Sequence, residues 1–173
     1  MRSIWKGAVA FGLVSIPVRL YAAVEERSPH FRQLHRPCST PVRYLKFCPT
    51  CGREVPPEEL ARAYEVAPGE FVEVGGEELE ELPLPTRQTV ELLDFVEAAA
   101  VDPIHFQRGY YLEPDGPAKA YALLREALRA SGRAGLARLA LRERERLALL
   151  RVAGDGRTLS LETLFYPDEI RSP

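Results

Sequence analysis

The sequence is poor in the residues that mark many functional classes. It has one methionine, one tryptophan, three histidines and three cysteines in 173 residues. Three cysteines cannot make a closed disulfide framework, which argues against a disulfide-stapled secreted domain. No apolar run approaches the roughly 18 residues that a membrane span needs. The opening Met1-Arg2-Ser3-Ile4-Trp5-Lys6-Gly7 places charge before any long apolar stretch, and no small-residue cleavage site follows. It therefore does not read as a secretory signal, and the expectation is a cytoplasmic protein. Also missing are a glycine-rich phosphate loop, GxSxG, HExxH and a nucleotidyl-transferase lysine motif. The expectation is that the chain is not an enzyme. His30 follows Ser28-Pro29 and reads as a loop residue. His105 sits between Ile104 and Phe106 and reads as an edge or satisfied histidine.

Turn-forming residues are plentiful, with fifteen prolines and twelve glycines. That composition favours many short strands over a helical bundle. The net charge is −2, an unpromising total for a nucleic-acid binder, but its distribution is uneven. Residues 1–53 hold nine Lys/Arg against two Asp/Glu, residues 54–116 three against sixteen, and residues 117–173 eleven against seven. Two basic segments flank an acidic one, so a folded chain can present one basic and one acidic face. The plainer reading is a solvated surface of uneven charge.

Along the chain, Val9, Phe11, Leu13, Ile16, Val18 and Leu20 predict two strands, or one sharply bent strand, broken at Gly12. Residues 25–53 depart from this pattern and read as an extended hairpin or arm, with Val42 to Phe47 alternating. Pro56 to Leu60 predicts a helical turn, Phe71 to Val74 a strand, and Glu77 to Leu82 a short acidic helix. Thr89–Val96 and Gly109–Leu112 are further strand candidates. The clearest helix begins at Pro117, with Tyr121, Leu124 and Leu128 on one face, and stops at Ser131-Gly132. Leu136–Leu141 and Leu147–Val152 predict two strands joined by a charged tip, Arg142-Glu143-Arg144-Glu145-Arg146. Gly154-Asp155-Gly156 then turns into a last strand, Leu159–Tyr166. The expected fold is mainly β (α+β): an antiparallel β-barrel core, one clear α-helix, and a protruding hairpin arm carrying a knuckle.

That knuckle is Cys48-Pro49-Thr50-Cys51-Gly52, preceded by His35 and Cys38. The pattern His-x2-Cys-x9-Cys-x2-Cys supplies the four N/S ligands of a closed, structural zinc site. Four protein ligands leave no position for a reactive water. Losing the metal should loosen the arm without abolishing the barrel. Two alternatives stay open: unliganded reduced thiols, or redox chemistry at Cys48 and Cys51.

The stretch Ser3-Ile4-Trp5-Lys6-Gly7-Ala8-Val9-Ala10-Phe11-Gly12-Leu13-Val14-Ser15-Ile16-Pro17-Val18-Arg19-Leu20-Tyr21 closely resembles the opening of bacterial Ku proteins. Further pieces match in order. They are Gln33-Leu34-His35, Val42-Arg43-Tyr44, Tyr110-Tyr111-Leu112 with Lys119 to Arg125, and Phe165 to Arg171. The likeness covers nearly the whole chain. It implies one β-barrel domain over residues 1–173, with residues 25–64 inserted as a bridging arm. It also implies a homodimeric ring that threads onto double-stranded DNA ends in non-homologous end joining and recruits a bacterial end-joining DNA ligase. A nucleoid-associated location follows from that role. Chains of this family usually run past the last barrel strand into helices and often a basic tail, whereas this chain stops at Pro173, so a short form is expected.

A ring that holds DNA of any sequence needs only cations toward phosphate. The residues expected to supply them are Arg36, Arg43, Lys46 and Arg53 on the arm, Arg142 and Arg144 at the charged tip, and Arg2 and Lys6. For each, the alternative is a solvent-facing charge or a surface ion pair. The main rival function is a zinc-knuckle module that binds another protein through its acidic face.

Overall fold

The computed structural model describes residues 2–76, 86, 88–141 and 144–172. The acidic helix expected at Glu77–Leu82 lies outside the described residues, as does Arg142. The chain divides into two compact units, one of Met1–Glu25 with Pro83–Pro173 and the other of Glu26–Leu82.

The first unit is a closed barrel of seven strands. They are β1 (Trp5–Phe11), β2 (Val14–Ala22), β9 (Thr89–Glu97), β10 (Phe106–Pro114), β11 (Arg133–Leu141), β12 (Arg144–Val152) and β13 (Leu159–Leu164), closing in the order β1-β2-β10-β13-β12-β11-β9. Six seams are antiparallel, and the seam between β1 and β9 is parallel, with Ala8 opposite Thr89 and Ala10 opposite Glu91. The expected barrel is therefore present but is not antiparallel throughout. Strand direction cannot alternate all the way round a ring of seven, so one seam must be parallel.

Local sequence explains most of these elements. Gly12 and Leu13 form a two-residue turn between the paired Phe11 and Val14, and Gly12 has φ +54°. A left-handed backbone there matches the twist of the flanking strands and suits glycine. The expected bend is thus a tight hairpin. The charged tip is shorter than expected: Leu141 pairs with Arg144, so Arg144 and Arg146 belong to β12.

Alternation along the strands fills the barrel. Val9, Ile16, Val18, Leu20, Val90, Leu112, Leu139, Leu150, Leu159 and Leu161 form one buried cluster. The α-helix α1 (Lys119–Ser131) adds Tyr121, Leu124 and Leu128 to it, the face expected from their spacing. Leu123, one position away, is exposed. The helix ends where the Gly132 amide donates to the Leu128 carbonyl at 3.0 Å. A second cluster, Ala134, Leu149 and Leu164 with Val96, Val101 and Phe106 against it, lines the other face of β11 to β13. These strands therefore carry apolar side chains on both faces.

The second unit consists of short pieces. Three two-stranded hairpins follow one another: β3–β4 (Leu34–His35 and Thr40–Pro41), β5–β6 (Phe47–Cys48 and Arg53–Glu54) and β7–β8 (Ala63–Ala67 and Glu70–Glu73), with a 3₁₀ turn at Pro57–Glu59. Within Val42–Phe47 only Phe47 belongs to a ladder, and every residue is exposed.

Candidate nucleic-acid interface

The inserted unit is built almost entirely of surface. No residue from 26 to 76 is buried, and eleven large apolar side chains between Phe31 and Val72 are exposed. Such a segment cannot stabilise itself by burial, and contiguous exposed apolar surface marks a contact site. It is also strongly cationic at its start. From Arg27 to Arg53 it carries six Lys/Arg and no Asp/Glu.

Its first two hairpins repeat one turn. In β3–β4 the Ser39 amide donates to the His35 carbonyl at 2.7 Å, with Ser39 at φ +53°. In β5–β6 the Gly52 amide donates to the Cys48 carbonyl at 2.9 Å, with Gly52 at φ +67°. Each turn therefore curls its first and fourth residues to one side. This brings His35 Nδ1 to 3.1 Å from Cys38 Sγ, while the Cys51 amide donates to Cys48 Sγ at 3.4 Å. Backbone N–H groups aimed at Cys48, that of Cys51 foremost, hold its thiol pKa below the usual range. Hydrogen bonding with Thr40 does the same for Cys38. Both effects favour the thiolate, the form that ligates metal. Each half thus has the donor chemistry of a zinc knuckle. Among the described residues, however, no group of three or more His, Cys, Asp or Glu is gathered so that it could hold an ion. The four expected ligands are brought together two by two, and not as a set.

The cations expected to meet phosphate fall into two classes. Arg2, Arg36, Arg43, Lys46 and Arg144 are exposed and have no carboxylate partner among the described residues. Two others are paired. Lys6 Nζ lies 2.7 Å from Asp115, which also holds Arg19 at 2.6 Å. Lys6 and Arg19 face each other across β1 and β2. Hydrogen bonds from Lys6 and then Arg19 keep the Asp115 carboxyl below the usual carboxylate range. Arg53 is bound by Glu59 through both of its terminal nitrogens. Lys6 and Arg53 nonetheless keep more than half of their side-chain surface in solvent, at 70% and 55%, where a phosphate can reach them. Most barrel arginines are likewise engaged: Arg138 with Glu91 and Glu145, Arg151 with Glu162, and Arg146 with Gln107.

His105 is partly buried with Nδ1 3.3 Å from the Phe165 carbonyl, and His30 is exposed. No nucleophile is paired with either among the described residues. Arg32 is also exposed and lies beside the aromatic pair Phe31 and Tyr44; none of the three is among the site residues that the sequence pattern singles out. The acid-free run from Arg27 to Arg53 was the signal that pointed there.

A closed seven-stranded barrel, carrying one helix against its core and a cation-rich unit inserted after its second strand, defines the class. A family model described as the Ku70/Ku80 beta-barrel domain matches residues 10–173, and the chain belongs to this family. Its relatives include proteins named "Non-homologous end joining protein Ku". The one from Symbiobacterium thermophilum is 49% identical over 99% of this chain and 42% of its own length. The one from Heliobacterium modesticaldum is 49% identical over 99% of this chain and 62% of its own length. The Bacillus subtilis protein is 41% identical over 99% of this chain and 55% of its own length. The chain thus spans about half the length of the relatives it matches. No helix among the described residues is long and apolar enough to cross a membrane.

Proposed function

We propose that this chain is a non-catalytic protein that binds double-stranded DNA ends without regard to sequence, as a homodimer, in double-strand break repair by non-homologous end joining. The observation that carries this reading is the run of six cations and no acid on an inserted unit in which no described residue is buried. Arg36, Arg43 and Lys46 there, with Arg2 and Arg144 on the barrel unit, contact phosphates and release condensed counterions. Lys6 and Arg53 join them once phosphate displaces Asp115 and Glu59. Backbone contacts alone fix position without reading bases. A ring of two copies adds specificity for ends, since a closed ring is entered only from a terminus.

The second copy is drawn to the β7–β8 hairpin. Tyr64, Val66, Phe71 and Val72 are all exposed there and need a cover. The name borne by the relatives supports the repair role, and an end-joining DNA ligase is the enzyme to which such a complex delivers its ends. The site of action is the nucleoid, in the cytoplasm. Zinc, held by His35, Cys38, Cys48 and Cys51, would tie the two hairpin turns to each other and stiffen the unit, a purely structural contribution.

A gel-shift assay with linear duplex and covalently closed circles tests the reading. Binding to the linear form alone, fading as salt rises, is expected; equal binding to both topologies rejects ring threading. Light scattering that shows only monomer rejects the ring. Metal analysis of freshly purified protein checks the zinc, with well under one equivalent counting against the four-ligand site.

A further inference from the structure

We propose that the groove beside β3 and β4 takes an unpaired DNA strand, the single-stranded overhang of a broken end. This inference rests on the end-binding reading and extends it from the duplex to the frayed terminus.

The groove is open to solvent and measures about 880 Å³, beside the chain entering β3 and the chain leaving β4. Its walls are held by the Leu34–Pro41 and His35–Thr40 pairs and by the Val42 amide, which donates to the Gln33 carbonyl at 3.1 Å. Two aromatic side chains line it, Phe31 at 92% exposure and Tyr44 at 83%. The Tyr44 hydroxyl donates to Gln33 Oε1 at 2.5 Å, which ties the end of the side chain to the chain entering β3. Arg32 and Arg43 also line it, and among the described residues neither is paired with a carboxylate.

Aromatic faces left in water beside unpaired guanidinium groups are the two components of a single-strand site. Bases stack on the rings whatever their identity, and the cations follow the phosphates. The volume lies in the range that holds a small ligand. It suits a nucleotide or two and excludes a duplex, whose bases are already stacked on one another. Charge favours this occupant over a second copy docked groove to groove. The whole segment from Arg27 to Arg53 lacks acid, so two copies docked groove to groove would set like charges together, whereas a DNA strand brings the opposite sign.

Fluorescence anisotropy with the full chain tests this, using labelled duplexes of one length that end blunt or in an oligothymidine tail. The wild type should bind the tailed duplex roughly tenfold more tightly, the size expected from stacking. Phe31→Ala with Tyr44→Ala should remove that advantage and leave blunt-end affinity unchanged. Tyr44→Phe, which keeps the ring and loses only the bond to Gln33, should retain most of it. Equal wild-type affinity for both duplexes overturns the proposal while leaving end binding intact. An equal loss on both duplexes in the double variant, or a change in its oligomeric state by light scattering, also overturns it, because the rings would then serve the duplex or the dimer. A wild type that binds neither duplex sinks the end-binding reading itself.

Discussion

Tyr121 offers a direct test of how the helix is fastened to the barrel. Leu112 on β10 and Leu159 on β13 face each other in the ladder. The Tyr121 hydroxyl sits between them, donating to the Leu112 carbonyl at 2.7 Å and accepting from the Leu159 amide at 2.8 Å. It replaces a rung of the sheet, and the side chain is 5% exposed. Tyr121→Phe keeps the ring and its packing against Leu124 and Leu128 but removes both bonds. Two buried backbone groups are then left unsatisfied, each at about 1–3 kcal/mol, so a total of about 2–6 kcal/mol is expected. For a chain of this size that corresponds to a melting point lower by roughly 4–24 °C. Urea denaturation gives the free energy, and calorimetry gives the shift. A loss below about 0.5 kcal/mol, the scatter of ordinary surface changes, would show that the two strands close on each other without the hydroxyl and that the helix is held by apolar packing alone.

Gly7 tests close packing in the opening strand. A Cβ added there would lie 2.3 Å from the Gln88 carbonyl oxygen and 2.3 Å from the Trp5 ring. That oxygen also accepts from the Ala8 amide at 3.0 Å. Gly7→Ala should therefore cost about 1–3 kcal/mol in urea denaturation, and a neutral result would mean that the β1–β9 seam yields easily. Asp115 has its pKa lowered in the folded state by Lys6 and Arg19. Its contribution to stability is then present above the unfolded value of about 3.9 and lost as pH falls through the folded one. Thermal melts of Asp115→Asn against wild type should differ at neutral pH and converge in strong acid; a pH-independent gap would contradict the assignment. Reversing Arg43 and Lys46 together to Glu should weaken linear-duplex binding and reduce the salt slope by about two for each copy in the ring. Stability should stay within about 0.5 kcal/mol of wild type; unchanged DNA affinity would place both residues away from the phosphates.

Much of the barrel is legible in the chain because short-range patterns determine it. Gly12 specifies a hairpin turn, the spacing of Tyr121, Leu124 and Leu128 specifies a helix face, and Gly154 to Gly156 specifies the turn before the last strand. The metal-ligand spacing shows in the same way, since each His/Cys or Cys/Cys pair lies within one tight turn. Closure is another matter. The parallel seam between β1 and β9 joins residues some eighty positions apart and follows from the number of strands in the ring, which no local pattern encodes. Burial of both faces of β11 to β13 likewise depends on what packs outside them. Charge pairing is equally non-local: nothing near Lys6 in the sequence announces Asp115, and only the β1, β2 and β10 register brings them together. Sequence alone therefore determines which residues can turn, coil or carry charge. The tertiary structure decides which of those charges remain free for a ligand, because that depends on neighbours contributed by distant strands.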